Sequence, residues 1–276
     1  MSIGRTLKGI YSSLDQSGFW RQVVHFGRPP TDRRDLGWIT FRQAVLRECA
    51  VRAKTPLPRT ELKDFCSLLV SAQPRIRPLP RNLYSPTWDE SILLCSLVQQ
   101  VRPRRILELG TFDGRTSVHL AENAPEAEVV TIELYPGEIP YFSGANRLGA
   151  VQTGRWIGHF DIENRVRQVI GDSGIIDLSS DGPFDFVFID ADHSYEAVIR
   201  DTSRVLPNLS PGGVVVWHDY STTSGVTQAL NELASGLPML YVAGSSLVIH
   251  SASWTVGMTS AQMRESLAKT SGSAPS

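Results

Sequence analysis

A chain of 276 residues, 41% hydrophobic and 20% charged, has room for one large domain or for a domain with an appendage. Its longest apolar runs are far too short to cross a bilayer, which argues against a membrane span. The formal net charge of −1 hides an asymmetry: residues 1–105 hold 18 basic and 8 acidic side chains, residues 106–276 hold 9 and 20. Two surfaces that dock on each other would account for it, and so would a basic region that attracts an anionic substrate or nucleic acid. The arginines are scattered and lack the aromatic interleaving of single-strand binders. Cys49, Cys66 and Cys95 form no C-x-x-C pair. Their odd number and wide spacing argue against a disulfide framework or zinc site. Together with an N-terminus lacking a long apolar run, they predict a cytoplasmic protein.

In chain order, residues 1–85 are broken by Pro29, Pro30, Pro56, Pro58, Pro74, Pro78 and Pro80. Phe41–Ala53 and Glu61–Ser71 read as short helices of an N-terminal extension, either a cap over the substrate or plain packing on the core. Thr87 to Val101 reads as a helix opened by a T-x-x-E capping box at Thr87 and Glu90, with Ile92, Leu93, Cys95, Leu97, Val98 and Val101 as its apolar stripe. Arg105–Leu109 is a buried parallel strand. Gly110 and Gly114 bracket a tight turn, one of them suited to positive φ and both leaving backbone open to a ligand. A helix follows, from Thr116 to Asn123. Glu128–Glu133 is the next strand, and Leu134–Phe160 looks irregular and aromatic.

Val166–Ile170 is a strand followed by the polar turn Gly171-Asp172-Ser173. Phe184–Ile189 runs into Asp190-Ala-Asp192-His193, then a helix from Ser194 to Leu206. Val214–Trp217 is a strand that runs into His218-Asp219. Two strands ending in acids and joined by a helical crossover should be parallel, so Asp190 and Asp219 should share the carboxyl edge with Glu108 and Glu133. A helix over Thr222–Ala234 precedes a hairpin, Met239–Ala243 and Leu247–His250 around Gly244-Ser-Ser246. Residues 259–276 should hold a short helix at most, then a disordered tail.

Glu108-Leu-Gly110-Thr-Phe112-Asp-Gly114, followed by a strand ending in Glu133, resembles the first two motifs of the class I S-adenosylmethionine (SAM) methyltransferases, over roughly residues 86–251. The resemblance implies a Rossmann-like, doubly wound α/β sheet of seven strands in order 3-2-1-4-5-7-6, the last antiparallel. It implies SAM as cofactor, bound by Glu108, Gly110, Phe112, Gly114, Thr116, Glu133, Asp172, Ser173 and Asp190. Phe-Ile-Asp190-Ala-Asp-His193 with Val-Val-Val-Trp-His218-Asp219 is similar to the metal-dependent O-methyltransferases of the catechol, caffeoyl-CoA and bacterial macrocin types. That similarity implies a divalent cation on Asp190, His218 and Asp219, with Asp190 and His193 catalytic and His193 as base in place of lysine. His218 stands where those families place an acid, which opens Mn²⁺, Fe²⁺ or no metal beside Mg²⁺. Histidine, titrating near neutrality, suits the base role.

The division expected is a helical extension or cap (1–85), a methyltransferase domain (86–258) and a tail (259–276). The expected function is O-methylation of a hydroxylated small molecule, a sugar or natural product. A nucleic-acid methyltransferase and a non-catalytic SAM-fold binding protein are the alternatives. Neither a D/N-P-P-Y motif nor a Pro-Cys dipeptide supports the nucleic-acid reading. A homo-oligomer is left open.

Overall fold

The computed structural model describes residues 55–69, 71–79, 85–134, 138–143, 146–160 and 162–270, with backbone alone at 138–143 and 146–151. Ten strands occur among them. They are β1 (Arg59–Glu61), β2 (Arg105–Leu109), β3 (Glu128–Glu133), β4 (Glu138–Ser143), β5 (Asn146–Gln152), β6 (Val166–Ile170), β7 (Phe184–Ile189), β8 (Leu209–Trp217), β9 (Leu240–Ala243) and β10 (Val248–Ser251). Eight form one sheet in order β1-β9-β10-β8-β7-β2-β3-β6. The β6, β3, β2, β7 and β8 strands pair in parallel, and β10 runs antiparallel to both neighbours. Leaving β1 aside, this is the expected order 3-2-1-4-5-7-6.

The parallel strands are apolar along their whole length because both faces are covered. Their side chains alternate between two cores. Ile106, Phe186, Phe188, Val214 and Val216 face one side, with α2 (Trp88–Val101), α3 (Arg115–Asn123) and α7 (Ser260–Lys269). Leu107, Leu109, Val187, Ile189, Val215 and Trp217 face the other, with α5 (Tyr195–Val205) and α6 (Ser224–Leu233). No helix among the described residues is long and apolar enough to cross a membrane.

Four expectations are corrected. The sheet has eight strands, not seven. Arg59, Thr60 and Glu61, in an extension where no strand was expected, pair in parallel with Tyr241, Val242 and Ala243, and so cover what would otherwise be an open edge. The helix expected over Glu61–Ser71 is shorter: α1 spans Leu62–Cys66, then tightens into a 3₁₀ turn at Ser67–Leu69. The described residues between Leu134 and Phe160 are not irregular. They contain the antiparallel β4–β5 hairpin and α4 (Arg155–His159). Pro140 is tolerated there because each strand of a two-stranded ribbon has a free edge. Finally, Ile92 does not join the core stripe of α2. It is exposed, on the opposite side of the helix from the buried Leu94 and Leu97. The helix expected over Phe41–Ala53 and the tail at 271–276 lie outside the described residues.

The C-terminal helix α7 opens with a capping box between Thr259 and Gln262 and buries Met263 and Leu267. The capping box expected for α2 is present, with Glu90 N donating to Thr87 Oγ1 and Thr87 N donating to Glu90 Oε2.

Candidate active site

Strands β2, β7 and β8 stop together. Register puts Leu109 beside Ile189 and Ile189 beside Trp217. The next residues leave the sheet side by side, with Asp190 N donating to Leu109 O at 2.9 Å and His218 N to Ile189 O at 3.1 Å. Asp219 then enters the left-handed region, with φ of 60°. Asp accepts that conformation more readily than most residues, and such outliers gather at functional sites. Its carbonyl accepts from Thr222 N and Thr223 N, and its Oδ1 accepts from Thr222 Oγ1 at 2.7 Å.

Four side chains meet at this edge. His193, which directly precedes the Ser194 cap of α5, places Nε2 2.8 Å from Asp219 Oδ2 and 3.4 Å from Asp190 Oδ1. His218 places Nδ1 3.3 Å from Asp190 Oδ1 and 3.5 Å from Asp219 Oδ1. Asp190, His193 and Asp219 can each offer a donor atom with all three atoms within 4.8 Å of one another. The set expected from sequence was Asp190, His218 and Asp219. The structure therefore adds His193 to the candidate donors, while His218 lies deeper, edge-on to Phe188.

Electrostatics follow from this crowding. Hydrogen bonds to Asp190 and Asp219 outweigh burial and push the His193 imidazole up to about 10. Burial opposes a charged His218, yet the same carboxylates hold it well above the usual histidine range. Burial also works against ionised Asp190 and Asp219, and His218 and His193 hold both below the usual carboxylate range. The expectation that His193 titrates near neutrality is thus corrected: two carboxylates keep it protonated at pH 7. Protons on the imidazoles could balance these carboxylates as a cation would. Two imidazoliums would supply two positive charges, and two neutral imidazoles with one divalent ion would supply the same. The oxygen-plus-imidazole donor set fits Mn²⁺ or Fe²⁺ at least as well as Mg²⁺.

The glycine turn lies against this cluster. Gly110 has φ of +100°, and a Cβ there would come within 2.1 Å of the Asp190 carbonyl oxygen. Gly114, at φ +81°, would meet Ile157 and Gly154 at 2.9 and 3.0 Å. Both glycines are required by packing within the protein, not only by ligand approach. Phe112 takes a φ of 48°, and its N–H donates to Glu133 Oε2 at 2.9 Å. The carboxylate ending β3 is thereby drawn to the turn. Thr116 sits half-buried in the first turn of α3.

Glu108 is fully buried. Its Oε2 accepts from Ser117 Oγ and from Thr131 Oγ1, the latter at 2.6 Å, and burial pushes the carboxyl up to about 8. Its Oε1 has no hydrogen-bond partner. An unpaired buried acceptor beside the glycine turn is what a cationic ligand group would satisfy.

Asp172 and Ser173 begin beside Glu133, since Gly171 N donates to Glu133 O at 2.8 Å. Their side chains are engaged elsewhere. Asp172 Oδ1 accepts from Gly174 N and lies 3.6 Å from Arg200, and Ser173 Oγ donates to Asp201 Oδ1 at 2.9 Å.

Sequence reasoning missed Glu90 at this site. It was read only as a helix cap, yet its Oε2 lies 3.5 Å from His218 Nε2. The capping box was the signal available. Nothing local in sequence points across the 128 residues that separate the pair.

Residues 107–220 match the methyltransferase-domain family. The chain is 35% identical over 116 residues to a catechol O-methyltransferase of Mycobacterium tuberculosis, which covers 41% of this chain and 47% of that protein. It is 32% identical over 139 residues to a second protein of that organism, named "Probable O-methyltransferase", covering 46% and 54%. The chain thus spans about half the length of these curated relatives. An O-methyltransferase structure from Bacillus cereus, in complex with SAH, is 20% identical with a TM-score of 0.45, covering 69% of this chain and 89% of that one.

Proposed function

We propose that this chain, whose residues 107–220 match the methyltransferase-domain family, is a class I SAM-dependent O-methyltransferase acting on a hydroxylated small molecule, a sugar or natural product. The observation that carries the reading is the convergence of Asp190, His193, His218 and Asp219 beside the turn that Gly110 packs onto Asp190.

In this reading the glycine turn and Glu133 hold SAM, with Glu133 accepting ribose hydroxyls and Glu108 Oε1 accepting from the cofactor's ammonium group. Thr116, Asp172 and Ser173 complete that pocket through backbone and half-buried surface. SAM supplies a methyl group on a sulfonium, open to in-line attack by a hydroxyl oxygen. Asp190 and Asp219, with Nδ1 of His218, would hold a divalent cation. That ion would lower the pKa of the acceptor hydroxyl and orient it.

His193 is the most exposed member of the cluster, with 43% of its side chain accessible. It is the group a substrate hydroxyl meets first. With Asp190 and Asp219 neutralised by a divalent cation, its imidazole loses the charges that keep it protonated and becomes free to accept a proton at Nε2. Positioning and exclusion of water supply the remainder of the acceleration.

The test is methyl transfer from labelled SAM to a panel of catechols and sugars, with and without EDTA. Activity that Mn²⁺ or Mg²⁺ restores after chelation supports the whole reading. Full activity in EDTA removes the metal from it. No SAM binding by calorimetry refutes it.

A further inference from the structure

Glu90 is buried at 4% exposure on the first turn of α2, with its carboxylate fully tied down. Oε1 accepts from Ser246 N at 2.7 Å and Ser246 Oγ at 2.8 Å, in the turn between β9 and β10. Oε2 accepts from Thr87 N at 2.8 Å. These donors fix both oxygens in place. Oε2 also faces His218 Nε2 at 3.5 Å, at the outer limit of hydrogen-bond distance. A helix cap needs only the Thr87 contact. It does not need a buried carboxylate carrying three hydrogen bonds and facing an imidazole.

His218 is held on every side. Glu90 lies at Nε2, Phe188 lies edge-on to the ring with centroids 6.1 Å apart, and Asp190 and Asp219 lie at Nδ1. Nδ1 is buried and makes no well-formed hydrogen bond. A neutral imidazole that donates Nε2–H to Glu90 presents an Nδ1 lone pair to the gap between two carboxylates. That is the arrangement in which a carboxylate orients a metal-ligating histidine from behind.

We propose that Glu90 is a positioning residue: it holds His218 in the tautomer that carries its proton on Nε2 and aims Nδ1 at the Asp190–Asp219 pair, completing the cation site from behind. The proposal deepens the metal-assisted reading above and rests on it. It links that site mechanically to α2 and to the β9–β10 turn.

The test compares wild type, Glu90→Gln and Thr87→Ala. Thr87→Ala removes the cap hydroxyl and leaves the Glu90 carboxylate in place. The readouts are Mn²⁺ affinity by electron paramagnetic resonance, SAM affinity by calorimetry, and the His218 ring proton on Nε2 in ¹H–¹⁵N spectra. Glu90→Gln should weaken Mn²⁺ binding about 10–100-fold, leave SAM affinity within about twofold, and shift the Nε2 proton upfield. Thr87→Ala should lower the melting temperature and leave the Mn²⁺ affinity and the ring proton unchanged. Equal effects of the two variants would reduce Glu90 to a structural cap and overturn the proposal. Unchanged Mn²⁺ affinity in Glu90→Gln would also overturn it. Should Glu90→Gln fail to fold, wild type still decides: absence of a protected Nε2 proton on His218 refutes the arrangement. A wild type that holds that proton but binds no Mn²⁺, Mg²⁺ or Fe²⁺ refutes the metal reading and, with it, Glu90's role in completing a cation site.

Discussion

The two ends of one sheet treat charge in opposite ways. At the amino edge, a groove of about 340 Å³ is lined by Arg105, Glu128, Glu163, Arg165, Arg167 and Asp181 among others. There each arginine has a local partner. Arg167 pairs with Asp181, Arg105 donates to the carbonyls of Asp181 and Gly182, and Arg165 donates to Ala121 O. At the carboxyl edge, Asp190 and Asp219 share two imidazoles, with Glu90 behind one of them. Exposed pairs at the first edge are solvated and worth little. Carboxylates crowded at the second need a positive charge and will take it from protons or from a metal. A cluster of charge marks chemistry when its members share partners, not when each has its own.

The sharpest way to break this contrast is to remove His193, the group proposed to face the substrate. His193→Ala should lower turnover about 10²–10⁴-fold, the usual cost of losing a general base, with SAM affinity nearly unchanged. Steady-state kinetics with calorimetry would check both halves. Glu133→Ala comes next. It should weaken SAM binding by about 1.5–3 kcal/mol through lost hydrogen bonds to a charged acceptor, and unchanged affinity would remove Glu133 from the pocket.

The pH dependence sharpens the comparison further. The folded-state pKa of His193 is raised to about 10 from 6.5. Its contribution to stability is therefore complete below about pH 6.5 and is lost as pH rises through about 10. Metal-free protein should lose thermal stability across that window, and saturating Mn²⁺ should flatten the loss. Glu108, raised to about 8 from 4.5, loses its contribution in the same direction at lower pH, so Glu108→Gln separates the two in melting curves. The smallest effect belongs to the other edge. Arg167→Ala should change stability by less than about 0.5 kcal/mol and leave SAM binding and turnover untouched.

The central strands were legible because each is a continuous apolar run bounded by a charge or a turn, and because Gly110 and Gly114 bracket the first loop. Asp190 and Asp219 could be placed on one edge from parallel pairing alone. The rest depended on contacts distant in sequence. Arg59–Glu61 is too short to carry a periodic signal and is a strand only because β9 offers it an edge. The β4–β5 hairpin spans Pro140, a residue that normally argues against a strand. Ile92 fits an apolar pattern in sequence yet lies on the wrong side of α2. The protonation of His193 depends on two carboxylates, and the one on Asp219 comes from another strand.

Contact between Gly110 and the Asp190 carbonyl also bears on how such an enzyme can change. A methyl group at position 110 would have to displace the backbone that carries Asp190. The loop that would grip the methyl donor and the acid that would serve the acceptor are therefore one mechanical part. Selection on either will be felt by the other. A mutant library aimed at new donors should keep Gly110 fixed and vary Thr116, which is half-buried and lies on the adjacent helix turn. A library aimed at new acceptors should limit position 192 to side chains that can still accept from Ser194 N, as Asp192 Oδ1 does at 2.8 Å, because that bond orders the segment carrying His193.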